Sequence, residues 1–242
     1  TDETLAVCRK HAEQDPRVRI ESAVENIGAT GNFRRAFDLA EGEYFMWASG
    51  HDLWSSGLVS ECVELLQQHP DACLAYASCE WIGPDGEPFN RESGWYDTRG
   101  MAAPGRFFTV LWGNMHPVLG VIRSSRLREC GPVPALIGGD LVILADLSLR
   151  GSFLHAARSR WSRRELRAEV EYRQKLKRYS SVSFGITRSP LAKVFPLLEL
   201  PVELFKRVCR ARMGALDKAV MMAALMPALA LRYLVGRRGQ AN

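Results

Sequence analysis

Gly42-Glu43-Tyr44-Phe45-Met46-Trp47-Ala48-Ser49-Gly50-His51-Asp52-Leu53-Trp54 is the stretch whose reading decides the fold. It opens on a glycine behind a helix-like segment, runs through apolar and small residues, and stops abruptly on His51-Asp52. A near-continuous apolar run bounded by turn residues predicts a strand buried on both faces, as in a parallel sheet. In an open α/β sheet, ligands sit beyond the carboxyl ends of such strands. His51 and Asp52 are therefore expected where chemistry can occur, and both side-chain types bind divalent cations. A polar strand end followed by a helix cap accounts for the same residues.

Working outward, the pattern on the N-terminal side is helix, strand, helix. Thr1-Asp2-Glu3-Thr4 supplies capping and acidic residues for a helix to about Gln14. Asp15-Pro16 breaks it, Val18-Arg19-Ile20 reads as a short strand, and Asn32 to Ala40 carries apolar residues at helical spacing. Alternation of this kind predicts a parallel α/β sheet. On the C-terminal side a helix is expected from Gly57 to Gln68 and a small-residue strand from Ala72 to Ser78. A hairpin turn follows around Gly83-Pro84-Asp85-Gly86, then a surface loop from Glu87 to Gly105 and a short helix to Trp112. Further strands are predicted at Val118–Arg123 and Ser152–Ala157, around helices at Ser124–Glu129 and Leu141–Leu149. Ser162 to Lys177 alternates in charge like an exposed helix.

At 242 residues and 47% hydrophobic, the chain can bury a full core with an appendage. Its net charge of +5 is concentrated in Arg158, Arg160, Arg163, Arg164 and Arg167 and again in Arg173, Lys175, Lys177 and Arg178. That skew suits an anionic partner, either a sugar-nucleotide phosphate or an anionic lipid surface. Nucleic acid ranks last, because no RNA-binding or helix-turn-helix pattern accompanies the charge. The six cysteines lack metal-ligand spacing and read as reduced, mostly buried thiols of a cytoplasmic protein. Ala219 to Val235, apolar but interrupted by Pro227 and Arg232, falls short of a clean membrane span. It reads either as an interfacial helix at the inner face of the plasma membrane or as a packed terminal helix.

Several of these stretches together resemble a family 2 glycosyltransferase of the GT-A fold. The matching pieces are Thr1 to Thr4, Asp15-Pro16-Arg17-Val18-Arg19, Asn26-x-Gly28, Asn32-Phe33 and Ala40-x-Gly42-Glu43-Tyr44-Phe45. Further on, Leu119 to Leu127 and Gly139-Asp140 through Gly151 continue the match. The resemblance implies an α/β domain over 1–164 with a mostly parallel, helix-flanked sheet, and a helical, basic region over 165–242. It also implies that the family's first βα unit is missing from this chain.

The same resemblance implies transfer of a sugar from a nucleotide sugar to an acceptor hydroxyl, as in polysaccharide or glycoconjugate synthesis. Asp140 falls at the catalytic base of inverting members, although a plain helix cap explains it as well. The family's Asp-x-Asp motif falls on Ser49-Gly50-His51, followed by Asp52, so both acidic positions are substituted. His51 and Asp52 are the expected metal ligands, with Mn²⁺ favoured over Mg²⁺ because imidazole suits the transition metal. Asp2, Asn26, Gly28, Asp52, Arg163 and Arg164 are expected to contact the nucleotide sugar. Arg34 departs from the family's usual Asn. Three readings follow: an inverting transferase, an inactive relative that still binds a nucleotide or a partner, and a membrane-surface protein.

Overall fold

The computed structural model describes residues 3–93, 97–113, 116–165 and 198–238. A mixed six-stranded sheet runs through the molecule, built from β1 (Tyr44–Phe45), β2 (Leu53–Trp54), β3 (Ala72–Ile82), β4 (Pro88–Ser93), β5 (Val121–Arg123) and β6 (Ser152–Arg164). Its order is β1-β5-β3-β6-β2, with β4 paired to the far end of β3. The helices are α1 (Thr4–Gln14), α2 (Gly28–Asp38), α3 (Leu58–Gln68), α4 (Ala103–Trp112), α5 (Ser124–Cys130), α6 (Gly139–Arg150), α7 (Glu199–Arg210) and α8 (Ala215–Arg238).

The α/β reading holds, but the sheet is not mostly parallel. Among the described residues only the β3–β6 ladder is parallel, and it is the longest; β5 and β4 run antiparallel to β3, β1 to β5, and β2 to β6. The strand buried on both faces is β3. Leu74 and Tyr76 enter the core beneath α4, α6, α7 and α8, while Ala75, Ala77, Cys79 and Trp81 pack towards α3. That alternation is what a pleated strand between two helical layers requires.

The stretch from Gly42 behaves differently from the expectation. Between Gly42 and Asp52 only Tyr44 and Phe45 pair, both are half-buried, and β1 stands at the sheet edge against β5. Its aromatic residues are covered by a helix: Trp47 stacks on Phe33 at 5.5 Å and meets Phe45 edge-on at 4.8 Å, with Phe37 alongside. Val18-Arg19-Ile20 makes no strand pairing, because no neighbouring strand runs beside it among the described residues. Helix α2 begins earlier than expected, at Gly28.

Two segments read as loop or helix are strand. Pro88–Ser93 pairs with the end of β3. Ser162 to Arg164 belongs to β6, where Ser159 and Trp161 are buried between the exposed Arg158 and Arg160. This is a period of two that the high density of arginines disguised. The rest of the expected helix, beyond residue 165, lies outside the described residues.

Helices α7 and α8 share the core of the sheet domain. Leu200, Leu204 and Val208 of α7 and Met221, Leu225, Ala228 and Leu229 of α8 join Val142, Ile143 and Leu147 of α6 in one buried cluster. Arg207 ties α7 down, donating to the Cys130 carbonyl and pairing at 2.8 Å with Asp146, which also holds Arg150 at 3.0 Å. On α8, Arg232 donates to the carbonyls of Leu111 and Gly113 at the end of α4, and the Trp112 indole donates to the Ala228 carbonyl at 3.1 Å. Of the two alternatives for this segment, the packed helix is the one seen. Among the described residues no helix is long and apolar enough to cross a membrane.

Candidate active site

The carboxyl end of the paired β3 and β6 strands gathers His51, Asp52, Arg163 and Arg164. Trp81 and Ile82 lie in register with Arg163 and Arg164. The chain segment 51–52 leads into β2, which pairs with β6 at Ser162 and Trp161, so His51 and Asp52 come against the same strand end. The helix bearing Asp140 packs on the face of the sheet opposite α3.

Asp52 is buried, its side chain only 2% exposed. Its Oδ2 accepts a hydrogen bond from the Trp161 indole at 3.2 Å, and its Oδ1 accepts one from the Arg164 backbone N–H at 3.0 Å. The carboxylate is thus turned into the protein, fastening the residues before β2 to the end of β6. His51 does the opposite: its side chain is 52% exposed, 3.1 Å from the Ser49 hydroxyl through Nδ1 and 3.6 Å from Asp52 through Nε2. Arg164 is pinned from several sides. Its Nε donates to the His51 carbonyl at 3.1 Å, and its Nη1 donates to the carbonyls of Gly83 and Pro84 at 3.2 and 2.6 Å. Arg163 lies over the Trp81 ring, 4.6 Å from its centroid, a cation–π arrangement that fixes the guanidinium.

Asp140 stands in the first turn of α6. The turn before it depends on two glycines: Gly138 has φ +90, and a side chain on Gly139 would come within 2.4 Å of the Pro134 carbonyl. Only this pair lets the preceding loop fold back over the helix start. Arg34 holds the same loop, donating from Nε to the Val133 carbonyl at 2.5 Å. Between that loop and α7 lies an open cavity of about 520 Å³ lined in part by Arg34, Leu136, Val202 and Lys206. Asp140 keeps partial surface exposure while its carboxyl lies deep among protein atoms. Burial raises its pKa above the usual carboxylate value, and the Leu141 backbone N–H together with the charges of Arg232 and Arg163 pull against that rise. Its Oδ1 accepts the adjacent Leu141 N–H at 2.9 Å.

The remaining expected residues are less connected. Asn26 accepts the Gly28 N–H through Oδ1 at 2.9 Å, and Gly28 takes φ +72 at the start of α2, so the pair builds a local turn. No described hydrogen bond links that turn to His51, Arg164 or Asp140. Asp2 lies outside the described residues. Sequence reasoning missed Trp161, which fastens Asp52, and Arg232, which brings the C-terminal helix into the field of Asp140.

The glycosyl transferase family 2 description matches residues 1–119. Among solved structures, S. aureus TarS 1-349 in complex with UDP-GlcNAc superposes with a TM-score of 0.65 at 14% identity, covering 94% of this chain and 60% of that one. The same S. aureus protein without that ligand gives 0.64 at 13%, covering 97% and 60%, and its UDP complex gives 0.63 at 13%, covering 93% and 58%. At such identities the likeness is one of fold, and this chain spans about 60% of the length of the structures it matches. No curated protein sequence matches it.

Proposed function

Through residues 1–119 the chain belongs to glycosyl transferase family 2, and on that footing we propose that it moves a sugar from a nucleotide sugar to an acceptor hydroxyl with inversion. The observation that carries the reading is that the charge of Arg163 reaches Asp140, while the neighbouring Arg164 holds the His51 carbonyl at the shared end of β3 and β6. The S. aureus structures of the same fold hold UDP-GlcNAc and UDP, which supports a nucleoside diphosphate sugar as donor.

In this reading Asp140 takes the proton of the acceptor hydroxyl as its oxygen attacks the anomeric carbon. The new carbon–oxygen bond forms as the bond to the diphosphate breaks, and the nucleoside diphosphate leaves with the electron pair. A base whose pKa is raised by burial and moderated by two arginines is better matched to this task than an ordinary surface carboxylate. Arg163 and Arg164 supply positive charge where negative charge develops on the leaving group.

The expected divalent cation, Mn²⁺ before Mg²⁺, meets a poor donor set. Asp52 is sealed with both oxygens engaged, and among the described residues no three His, Cys, Asp or Glu side chains come together. Among the described residues His51 alone remains as a ligand, so the residues present do not fit a protein-held metal.

A surface role accompanies the chemistry in this proposal. Leu198, Val202 and Phe205 are exposed on or beside α7 at helical spacing, with Lys206 and Arg210 nearby. That combination suits an anionic membrane face, where the acceptor would be met. The test of the whole reading is release of UDP from UDP-sugars, with and without added acceptor extracts. Absence of turnover together with retained nucleotide binding would instead support an inactive binding relative.

A further inference from the structure

We propose that this chain neutralises the donor diphosphate with the Arg164 guanidinium, His51 standing beside it as a second nitrogen donor, in place of a divalent metal. The inference rests on the transferase reading and goes further by saying what replaces the metal in it.

Three observations carry it. The first is what Asp52 does. Its carboxylate is one of the few buried acidic groups in the molecule, and its oxygens are spent on Trp161 and on the backbone of Arg164. With its side chain only 2% exposed, it would have to turn out of the sheet to reach a cation in the cleft. The second is what Arg164 does. Its Nε and Nη1 donate to three carbonyls from two loops, His51 on one side and Gly83 with Pro84 on the other. Carbonyls fix the guanidinium without cancelling its charge, and among the described residues neither an acidic side chain nor any other acceptor meets its Nη2. A guanidinium held in place by neutral acceptors is preorganised for a phosphate, and its remaining N–H groups match phosphate oxygens. The third is the position of His51, half-exposed at the lip of the same strand end and joined to Arg164 through its own carbonyl. The residue that displaces an acidic ligand from the sequence is thereby a second nitrogen donor facing the same space.

The link between these facts is Asp52 itself. By receiving the Arg164 backbone N–H it sets the end of β6, and so sets where the guanidinium projects. Asp52 is a positioning residue in this account, and Arg164 is the group that touches the diphosphate.

The test is calorimetric binding of UDP and of inorganic pyrophosphate to the full chain, in EDTA and in Mn²⁺. We expect equal affinity for both probes with and without metal, and weakening by about tenfold or more in Arg164→Gln, the usual scale for losing a charged hydrogen-bond donor. Arg164→Lys, which keeps the charge but not the three-carbonyl anchorage, should fall between. Thermal melting of each variant separates lost binding from lost fold, and the EDTA comparison on the unaltered chain needs no variant. Binding that appears only with Mn²⁺ would overturn this inference while leaving the transferase reading intact. Equal binding by Arg164→Gln and the unaltered protein in EDTA would overturn it as well. Failure of both probes to bind under every condition would overturn the transferase reading, and this inference with it.

Discussion

Replacing Leu225 by Ala tests whether the C-terminal helix is core or tail. Leu225 is 1% exposed on α8 and belongs to the cluster that includes Met221, Leu229, Leu204 and Ile143. A buried leucine truncated in such a setting costs about 2–5 kcal/mol, the sum of lost transfer energy and the cavity left behind. The upper part of that range requires surroundings that cannot collapse. Here α8 is fastened to α4 on both sides of the site, by the Trp112 indole on the Ala228 carbonyl and by Arg232 on Leu111 and Gly113. We therefore expect roughly 3 kcal/mol or more, a fall in melting temperature of about 6–12 °C for a chain of this size. Leu231→Ala is the control: its side chain is 52% exposed, and the change should stay within about 0.5 kcal/mol. Urea and thermal melts followed by tryptophan fluorescence read both. Identical melts for the two variants, with anionic vesicle binding lost in Leu225→Ala, would refute the packed helix and restore the membrane tail.

Three further outcomes follow from the site and the core. Asp140→Asn should lower the transfer rate by about 10²–10⁴-fold while melting at neutral pH stays equal or rises; kinetics and melts check it, and full activity would remove Asp140 from the mechanism. The sign comes from linkage: a carboxyl whose folded pKa is raised favours the fold below its unfolded pKa, and that advantage is lost as pH rises through the folded value. Glu61 has the opposite sign, since burial pushes its pKa up but Ser159 at 2.6 Å and Arg158 outweigh it and leave the pKa lowered. Its contribution is present above the unfolded pKa and is lost as pH falls through the folded one, so Glu61→Gln should flatten the acid limb of a stability–pH curve. Burial also pushes the Cys62 and Cys73 thiols up to about 12, so a thiol reagent at pH 8 should label the exposed Cys209 first and leave those two unmodified until the protein unfolds.

What the sequence made legible was largely local. Helices α3 and α6 could be placed because their apolar spacing is helical and glycine or proline lies close to their ends, as with Gly57 and Pro70 around α3. The β3–β4 hairpin was marked by Gly83-Pro84-Asp85-Gly86. The strand at Gly42 misled because an aromatic run reports that something covers it, without reporting what. Phe33 and Phe37 of α2 cover it here, at a sheet edge where a strand buried on both faces was expected. β6 misled for the converse reason: exposed arginines on its outer face hid the buried Ser159 and Trp161 between them.

Side-chain roles were harder to read than side-chain identities, and Asp52 shows why. Its position at a strand end and its chemistry both pointed to a ligand site. Its partners, however, are Trp161 and the Arg164 backbone, 109 and 112 residues along the chain. A carboxylate at that position has two stable uses. It can face solvent and bind a cation, or face inward and order the strand that carries the arginines. Local sequence does not separate the two, because the deciding donors come from β6. Once Trp161 and the Arg164 N–H occupy both oxygens, the inward use is favoured by two hydrogen bonds in a dry setting, where leaving either donor unmet is costly. The same event places Arg164 beside His51. His51, the inward-turned Asp52 and Arg164 are therefore parts of one arrangement, joined by the His51 carbonyl and the Arg164 backbone N–H. Asp52→Ala should accordingly reduce UDP affinity in EDTA through a displaced Arg164, although Asp52 carries a charge that repels the ligand; an increase in affinity would show that its charge, and not its anchoring, dominates.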